Sequence, residues 1–241
     1  MNKYRAVILI LSSNNNEVYI NARRVWKKYM NNDPSIKVFF VYGKIDGNLE
    51  DFDPSSDIIL PHIEEEYPLY IRKTVEAIEL IDSIVEYDFF IRTNISTFWD
   101  FKNLHRHLDD LPKERCYSGD GPLPGYNKDG YYLSGTDTIV TPEMIKSMIS
   151  NKDKINFGVV EDSAMGLYFN GVLGVPMLPN RICFFEDITS VNEVDNIRNR
   201  IIDAQNNNRD HYRVKTLNGD RTSIDIFIYT ILLKIIYDIT I

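Results

Sequence analysis

The chain has 241 residues, 44% hydrophobic and 26% charged, enough to bury the core of one α/β domain. Its net charge of -8 excludes the broad Lys/Arg face that a nucleic-acid partner needs, but leaves room for a local basic pocket fitted to one diphosphate. The two cysteines, Cys116 and Cys183, stand far apart and outside any metal-ligand spacing, so neither a zinc site nor a disulfide framework is expected.

In chain order, Ala6 to Leu11 is an unbroken aliphatic run closed by Ser12, Ser13 and three asparagines, the pattern of a strand buried on both faces. With Lys3 and Arg5 before it, the run is too short to span a bilayer, and no small-residue cleavage site follows. Glu17 to Met30 carries Val18, Ala22, Val25, Trp26 and Tyr29 at helical spacing, and Lys37 to Tyr42 is a second strand. The opening is therefore βαβ, which implies a parallel pair with a right-handed crossover. Asp57 to Leu60 is a short strand, Tyr70 to Val85 a helix on Ile71, Val75, Ile78, Ile81 and Ile84, and Tyr87 to Thr93 a buried strand running into a polar cluster. Ligands of open α/β sheets bind where strands end, so topology alone makes that cluster a candidate site.

Further on, Phe101 to Leu108 is helical, Arg115 to Gly119 and Gly130 to Val140 read as strands around a Gly/Pro loop, and Pro142 opens a helix to Ile149. Val159 to Asn170, Val191 to Ala204 and Thr222 to Tyr237 are expected helices. Asp225, Lys234 and Asp238 interrupt the last apolar run, which fits a packed terminal helix better than an anchor. With no repeat, linker or membrane span in view, a single cytoplasmic domain is expected.

Four groups of residues could carry chemistry. Arg92-Thr93-Asn94-Ile95-Ser96 ends the buried strand, although Asn and Ser also make ordinary turns. Glu161-Asp162 sets two acids at a strand-to-helix junction, where one can face a cleft while the other pairs elsewhere; Asp162 and Ser163 would also serve as helix caps. Asn127-Lys128-Asp129-Gly130-Tyr131-Tyr132 and Ser134-Gly135-Thr136-Asp137 combine close-approach glycines with rings able to stack on a sugar, and would equally make a hairpin loop. Arg209 to Lys215 is the densest basic stretch after position 200, either a phosphate partner or a solvated run. His62, His105 and His107 receive no role, the last two facing different ways on one helix.

In order, these segments resemble the β1,3-galactosyltransferase and Fringe-like glycosyltransferases over roughly residues 6 to 175. Leu9-Ile10-Leu11-Ser12-Ser13, Arg23-Arg24-Val25-Trp26 and Phe39-Phe40-Val41-Tyr42-Gly43 resemble that family's opening. Asp57-Ile58-Ile59-Leu60, Glu66-Tyr67 and Lys73-Thr74 are similar to its next segment, with Ser134 to Thr141 and Val160 to Gly166 matching later ones. Such a resemblance implies a GT-A fold, with a Rossmann-like nucleotide-binding half over 1–97, an acceptor half over 98–241, and a mixed central sheet flanked by helices. It implies an inverting transfer of a hexose from a UDP-sugar to a hydroxyl of a glycan or glycoconjugate. Donor contacts would come from Ser12, Arg23 or Arg24, Lys73, Arg92, Asn94, Ser96, Arg213 and Lys215, and acceptor contacts from Tyr131, Ser134 and Gly135. Asp162, beside Glu161, would act as the base, because a sugar hydroxyl is a poor nucleophile until a carboxylate takes its proton.

The family also implies Mn²⁺ or Mg²⁺, held by two acids that here read Asn94 and Ser96, with His211 completing the shell. An amide and a hydroxyl offer oxygen without charge, so affinity for a hard cation falls and basic side chains become the expected counter-charge. The same departure admits an alternative, a non-catalytic GT-A-like module that binds a glycan or nucleotide-sugar.

Overall fold

A computed structural model describes residues 1–45, 49, 51–64, 70–125, 130–180 and 182–240. Glu66, Tyr67 and Asn127 to Asp129, singled out above, lie outside the described residues. The elements begin with β1 (Asn2–Leu11), α1 (Glu17–Tyr29), β2 (Ile36–Tyr42), β3 (Asp57–Ile59), α2 (Ile71–Ile84) and β4 (Val85–Asn94). There follow β5 (Thr97–Trp99), α3 (Phe101–Asp110), β6 (Tyr117–Asp120), β7 (Leu123–Pro124), β8 (Tyr131–Tyr132), β9 (Thr138–Val140) and α4 (Pro142–Ser150). The chain ends with α5 (Glu161–Gly166), a π-helical stretch over Leu167–Val172, β10 (Leu178–Asn180), β11 (Cys183–Phe184), α6 (Val194–Asn206), β12 (His211–Arg213) and α7 (Arg221–Tyr237).

The described residues form two compact units, the first made of 1–14, 34–94 and 112–180, the second of 15–33, 95–111 and 181–241. The first unit carries a seven-stranded sheet in the order β10-β6-β9-β4-β1-β2-β3. β1 pairs in parallel with β2, Leu11 opposite Val41, and with β4, Leu11 opposite Asn94. β9 runs antiparallel to β4 and β6, so the sheet is mixed, as expected for a GT-A fold. Strand order reverses at β1: the chain leaves it for β2 on one side and returns with β4 on the other. The carboxyl ends of β1 and β4 therefore bound the crevice where such sheets take ligands. Val7 and Leu9 of β1 and Phe39 and Val41 of β2 share one core with Ile71, Val75, Ile78 and Ile81 of α2 and Met144, Ile145 and Met148 of α4. Each such side chain contributes about 1.5–3 kcal/mol on burial, which fixes α2 against the sheet and sets Lys73 and Thr74 in its first turn.

In the second unit, β12 lies between β11 and β5. Its aromatic core centres on Tyr29, with ring centroids 4.4 Å from Phe98, 4.9 Å from Trp26 and 5.0 Å from Tyr237. Indole Nε1 of Trp26 donates to the Ile95 carbonyl at 3.1 Å, and α1 and α7 pack together.

Three expectations need correction. Gly130 to Val140 is two short strands, because Ser134 to Asp137 leaves the ladder to bond elsewhere: Ser134 N donates to the Asp120 carbonyl, and the Thr136 carbonyl accepts from the Thr93 hydroxyl. Val159 to Asn170 is an α-helix only as far as Gly166, then widens to π geometry. Part of the basic run 209–215 is strand β12 rather than a solvated loop.

Candidate functional site

The expected residues of the first unit lie at the carboxyl ends of β1 and β4, where Asn94 is the last residue of β4, and on the elements facing them. Ser12 follows β1; its N–H donates to the Val41 carbonyl and its own carbonyl accepts from Lys73 Nζ at 3.1 Å. Lys73 is 2% exposed and its ammonium lies over the Tyr70 ring, 5.0 Å from the centroid. The Ser12 hydroxyl is buried and has no hydrogen-bond partner among the described residues. A buried hydroxyl without a partner normally costs free energy, so this oxygen is available to a bound group.

Arg92 stands opposite Leu9 of β1 and Thr138 of β9, and is 4% exposed. All three nitrogens of its guanidinium meet the protein: Nε donates to Glu161 Oε1 at 2.8 Å, Nη2 meets Glu161 Oε2, and Nη1 donates to the Gly135 carbonyl. Asp162 Oδ1 lies 3.5 Å from the same Nη1. The fork of Arg92, expected to contact the donor, is here matched bidentately to the Glu161 carboxyl. Glu161 is the acid of the pair that pairs elsewhere. At 2% exposure, held by Arg92 and by the Thr74 hydroxyl at 3.0 Å, it is an anchor and not a base that reaches substrate. Burial pushes its carboxyl up to about 8; the Arg92 charge pulls it down, and the Asp162 charge opposes that pull.

Asp162 is the acid of the pair that meets solvent, with 24% of its side chain exposed. It sits in the first turn of α5, where the dipole favours a negative charge. A Cβ on Gly135 would run into both the Arg92 guanidinium and the Asp162 carboxylate, so only glycine lets this backbone close over the pair. Ser134 is half-buried, and Tyr131 on β8 is 59% exposed. Gly166 is equally constrained, because a Cβ there would approach Tyr132 Cβ to 2.5 Å, and this ties α5 to β8.

The residue that pins the Ser134 to Thr138 loop is one that the sequence placed in a candidate group without a role of its own. Asp137 is fully buried; its Oδ1 accepts from the Asp120 N–H at 2.8 Å and from the Thr136 hydroxyl at 2.9 Å, and its Oδ2 accepts from Asn180 Nδ2 at 3.2 Å. The available signal was an acid alone in the uncharged run Ser134 to Thr141.

The other expected residues belong to the second unit. Arg23 lies on α1, 6% exposed. Ser96, 5% exposed, ends the turn before β5, and its carbonyl accepts from Val214 N. Arg213 stands opposite Thr97 across the β12–β5 pair. Burial, then the charges of Arg213 and Arg221, lowers the Lys215 ammonium. His211 is fully buried, its Nδ1 2.7 Å from Asp210 Oδ1 and its ring stacked on Trp99 at 4.8 Å. Asp210 Oδ2 also meets His107 Nδ1 at 2.6 Å, and His105 Nε2 meets Asp33 at 2.6 Å. Two of the three histidines left without a role, His105 and His107, thus join elements of the second unit. Burial raises the Asp210 carboxyl, but the His211 and His107 charges and hydrogen bonds outweigh it and hold the group well below the usual carboxylate range.

These residues do not fit a divalent ion. Asn94 and Ser96 bring no charge, His211 Nδ1 is taken by Asp210, and no cluster of three or more His, Cys, Asp or Glu suited to a metal occurs among the described residues.

The mixed α/β fold, with its central sheet flanked by helices, is one that a known enzyme shares. It is seen in a solved structure, that of a glycosyltransferase involved in the glycosylation of the major capsid of PBCV-1, which this chain matches with a TM-score of 0.50 at 13% identity. The likeness covers 92% of this chain and 98% of that one, and at such identity it concerns the fold. No family model matches the sequence, and no curated protein matches it. No helix among the described residues is long and apolar enough to cross a membrane.

Proposed function

We propose that this protein is an inverting glycosyltransferase that moves a hexose from a UDP-sugar to a hydroxyl of a glycan or glycoconjugate, with Asp162 as general base. The observation that carries the reading is the division of labour within the acidic pair. Glu161 is buried against Arg92, while Asp162 keeps a partly exposed carboxylate beside Gly135, on the α5 turn linked through Arg92 to the carboxyl end of β4. The shared fold supports the same class of reaction.

In the proposed step, Asp162 Oδ takes the proton of the acceptor hydroxyl as its oxygen bonds the anomeric carbon. The bond from that carbon to the phosphate oxygen breaks, and the nucleoside diphosphate leaves with the electron pair. Attack from the face opposite the phosphate inverts the anomeric centre. The free Ser12 hydroxyl and the Lys73 ammonium, both at the end of β1, offer the nucleotide a donor and a counter-charge. Tyr131 offers an exposed ring on which an acceptor sugar can stack. For Arg23, Arg213 and Lys215 the donor role rests on the sequence resemblance alone. No step is routed through a metal ion.

The test is transfer and donor hydrolysis across UDP-, GDP- and dTDP-sugars, each with Mn²⁺, with Mg²⁺ and with EDTA, for the wild type and Asp162→Asn. Turnover of a UDP-sugar that survives EDTA and falls about 10²–10⁴-fold in Asp162→Asn is expected. Turnover abolished by EDTA would restore the metal, and unchanged turnover in the folded variant would remove the base. Absence of binding and turnover with every donor would favour the non-catalytic module.

A further inference from the structure

We infer that Arg92 is a positioning residue for Asp162, held in register by Glu161 on one side of its guanidinium and presenting Nη1 to the Asp162 carboxylate on the other. This deepens the glycosyltransferase reading and rests on it only for its kinetic consequence.

The guanidinium is planar, so fixing two of its nitrogens fixes the third. Nε and Nη2 are locked to the two oxygens of Glu161, and Glu161 is itself tied to α2 through the Thr74 hydroxyl at 3.0 Å. Nη1 is left on a defined line, where it meets the Gly135 carbonyl and stands 3.5 Å from Asp162 Oδ1. Gly135 has no Cβ to come between them. Lysine would keep the charge but not the fork, because an ammonium is a point donor on a flexible stem. One buried cation thereby sets the placement of the exposed acid from elements on both sides of it, β4 and α2.

Two measurements decide the matter. The first needs no activity: the Arg92 side-chain ¹⁵N–¹H resonances are compared between wild type and Asp162→Asn, a change at a partly exposed position that leaves the core intact. A shift confined to Nη1, with Nε and Nη2 unmoved, is expected; three unmoved resonances would overturn the inference even if transfer proved absent. In the second, kcat and KM are measured for Arg92→Lys per folded molecule, with the folded fraction read by circular dichroism. A fall in kcat of about a hundredfold with KM nearly unchanged is expected, the loss that about 1 Å of misplacement produces. Wild-type kcat in the folded variant would reduce Arg92 to a purely structural role and overturn the inference. If Arg92→Lys does not fold, Thr74→Val takes its place, with a smaller fall in kcat expected and wild-type kcat again the contrary result.

Discussion

At the scale of the residue, the site depends on unequal treatment of two neighbouring acids. Glu161→Ala would take from the buried Arg92 guanidinium the carboxyl oxygens that Nε and Nη2 meet, and a buried polar group left without partners costs about 1–3 kcal/mol, more when it is charged. The expected outcome is a urea midpoint lowered accordingly, where Asp162→Ala, at 24% exposure, loses far less. Equal losses would contradict the assignment of anchor and base. Gly135→Ala forces a methyl into the space shared by Arg92 and Asp162, and overpacking of this kind costs about 1–3 kcal/mol. Measured stability of that variant within error of wild type would mean that the loop can move away. The adjacent acids were visible in the sequence as a candidate site, but not which of them is buried, because that depends on Arg92 arriving from a strand 69 positions earlier.

Among the elements, local rules account for most of the long ones. α1 begins at Asn16, whose side chain accepts from Tyr19 N at 3.0 Å, an N-cap that Asn supplies well. Asn16→Ala is expected to lower stability by about 1 kcal/mol, read as a shift in the thermal midpoint, and no shift would show that the helix is set by packing alone. Among the described residues, the six helices of nine residues or more and the three long strands follow apolar runs or periods that the sequence displays. Of the short pieces, β3 and β6 were legible and others were not. β5, β10, β11 and β12 have two or three residues each, too few for a period, and exist because a neighbouring strand offers its backbone. The break between β8 and β9 was hidden for a related reason, since Ser134 to Asp137 has strand-like composition but bonds to Asp120, Thr93 and Asn180.

Over the whole molecule, two buried carboxyls give stability opposite slopes with pH. Glu161 has its folded value raised to about 8, so the folded chain binds this proton more tightly than the unfolded chain. Its contribution is complete below the ordinary glutamate range and is lost as pH rises through about 8. Asp210 is held low, so its contribution is present above the ordinary aspartate range and is lost as pH falls below it. Denaturation midpoints measured from about pH 3 to about pH 9 should therefore pass through a maximum on the acid side of neutrality. Glu161→Gln is expected to flatten the alkaline limb and Asp210→Asn the acid limb. A midpoint that climbs steadily to the alkaline end would contradict the raised value of Glu161.

The sequence by itself determined the βαβ opening, the strand that ends at Arg92 to Asn94 and the helix that carries Asp162, because these follow from local hydrophobic period and from residues that end elements. It also marked Ser12, Lys73 and the Glu161-Asp162 pair as candidates. Only the tertiary structure decided that Arg92 serves Glu161, that His211 and His107 share Asp210, and that Asp137 pins the loop beside the site. Each of those is an ionisable group taken out of water, and its partner is whichever opposite charge or hydrogen-bond donor the fold brings near, regardless of distance along the chain.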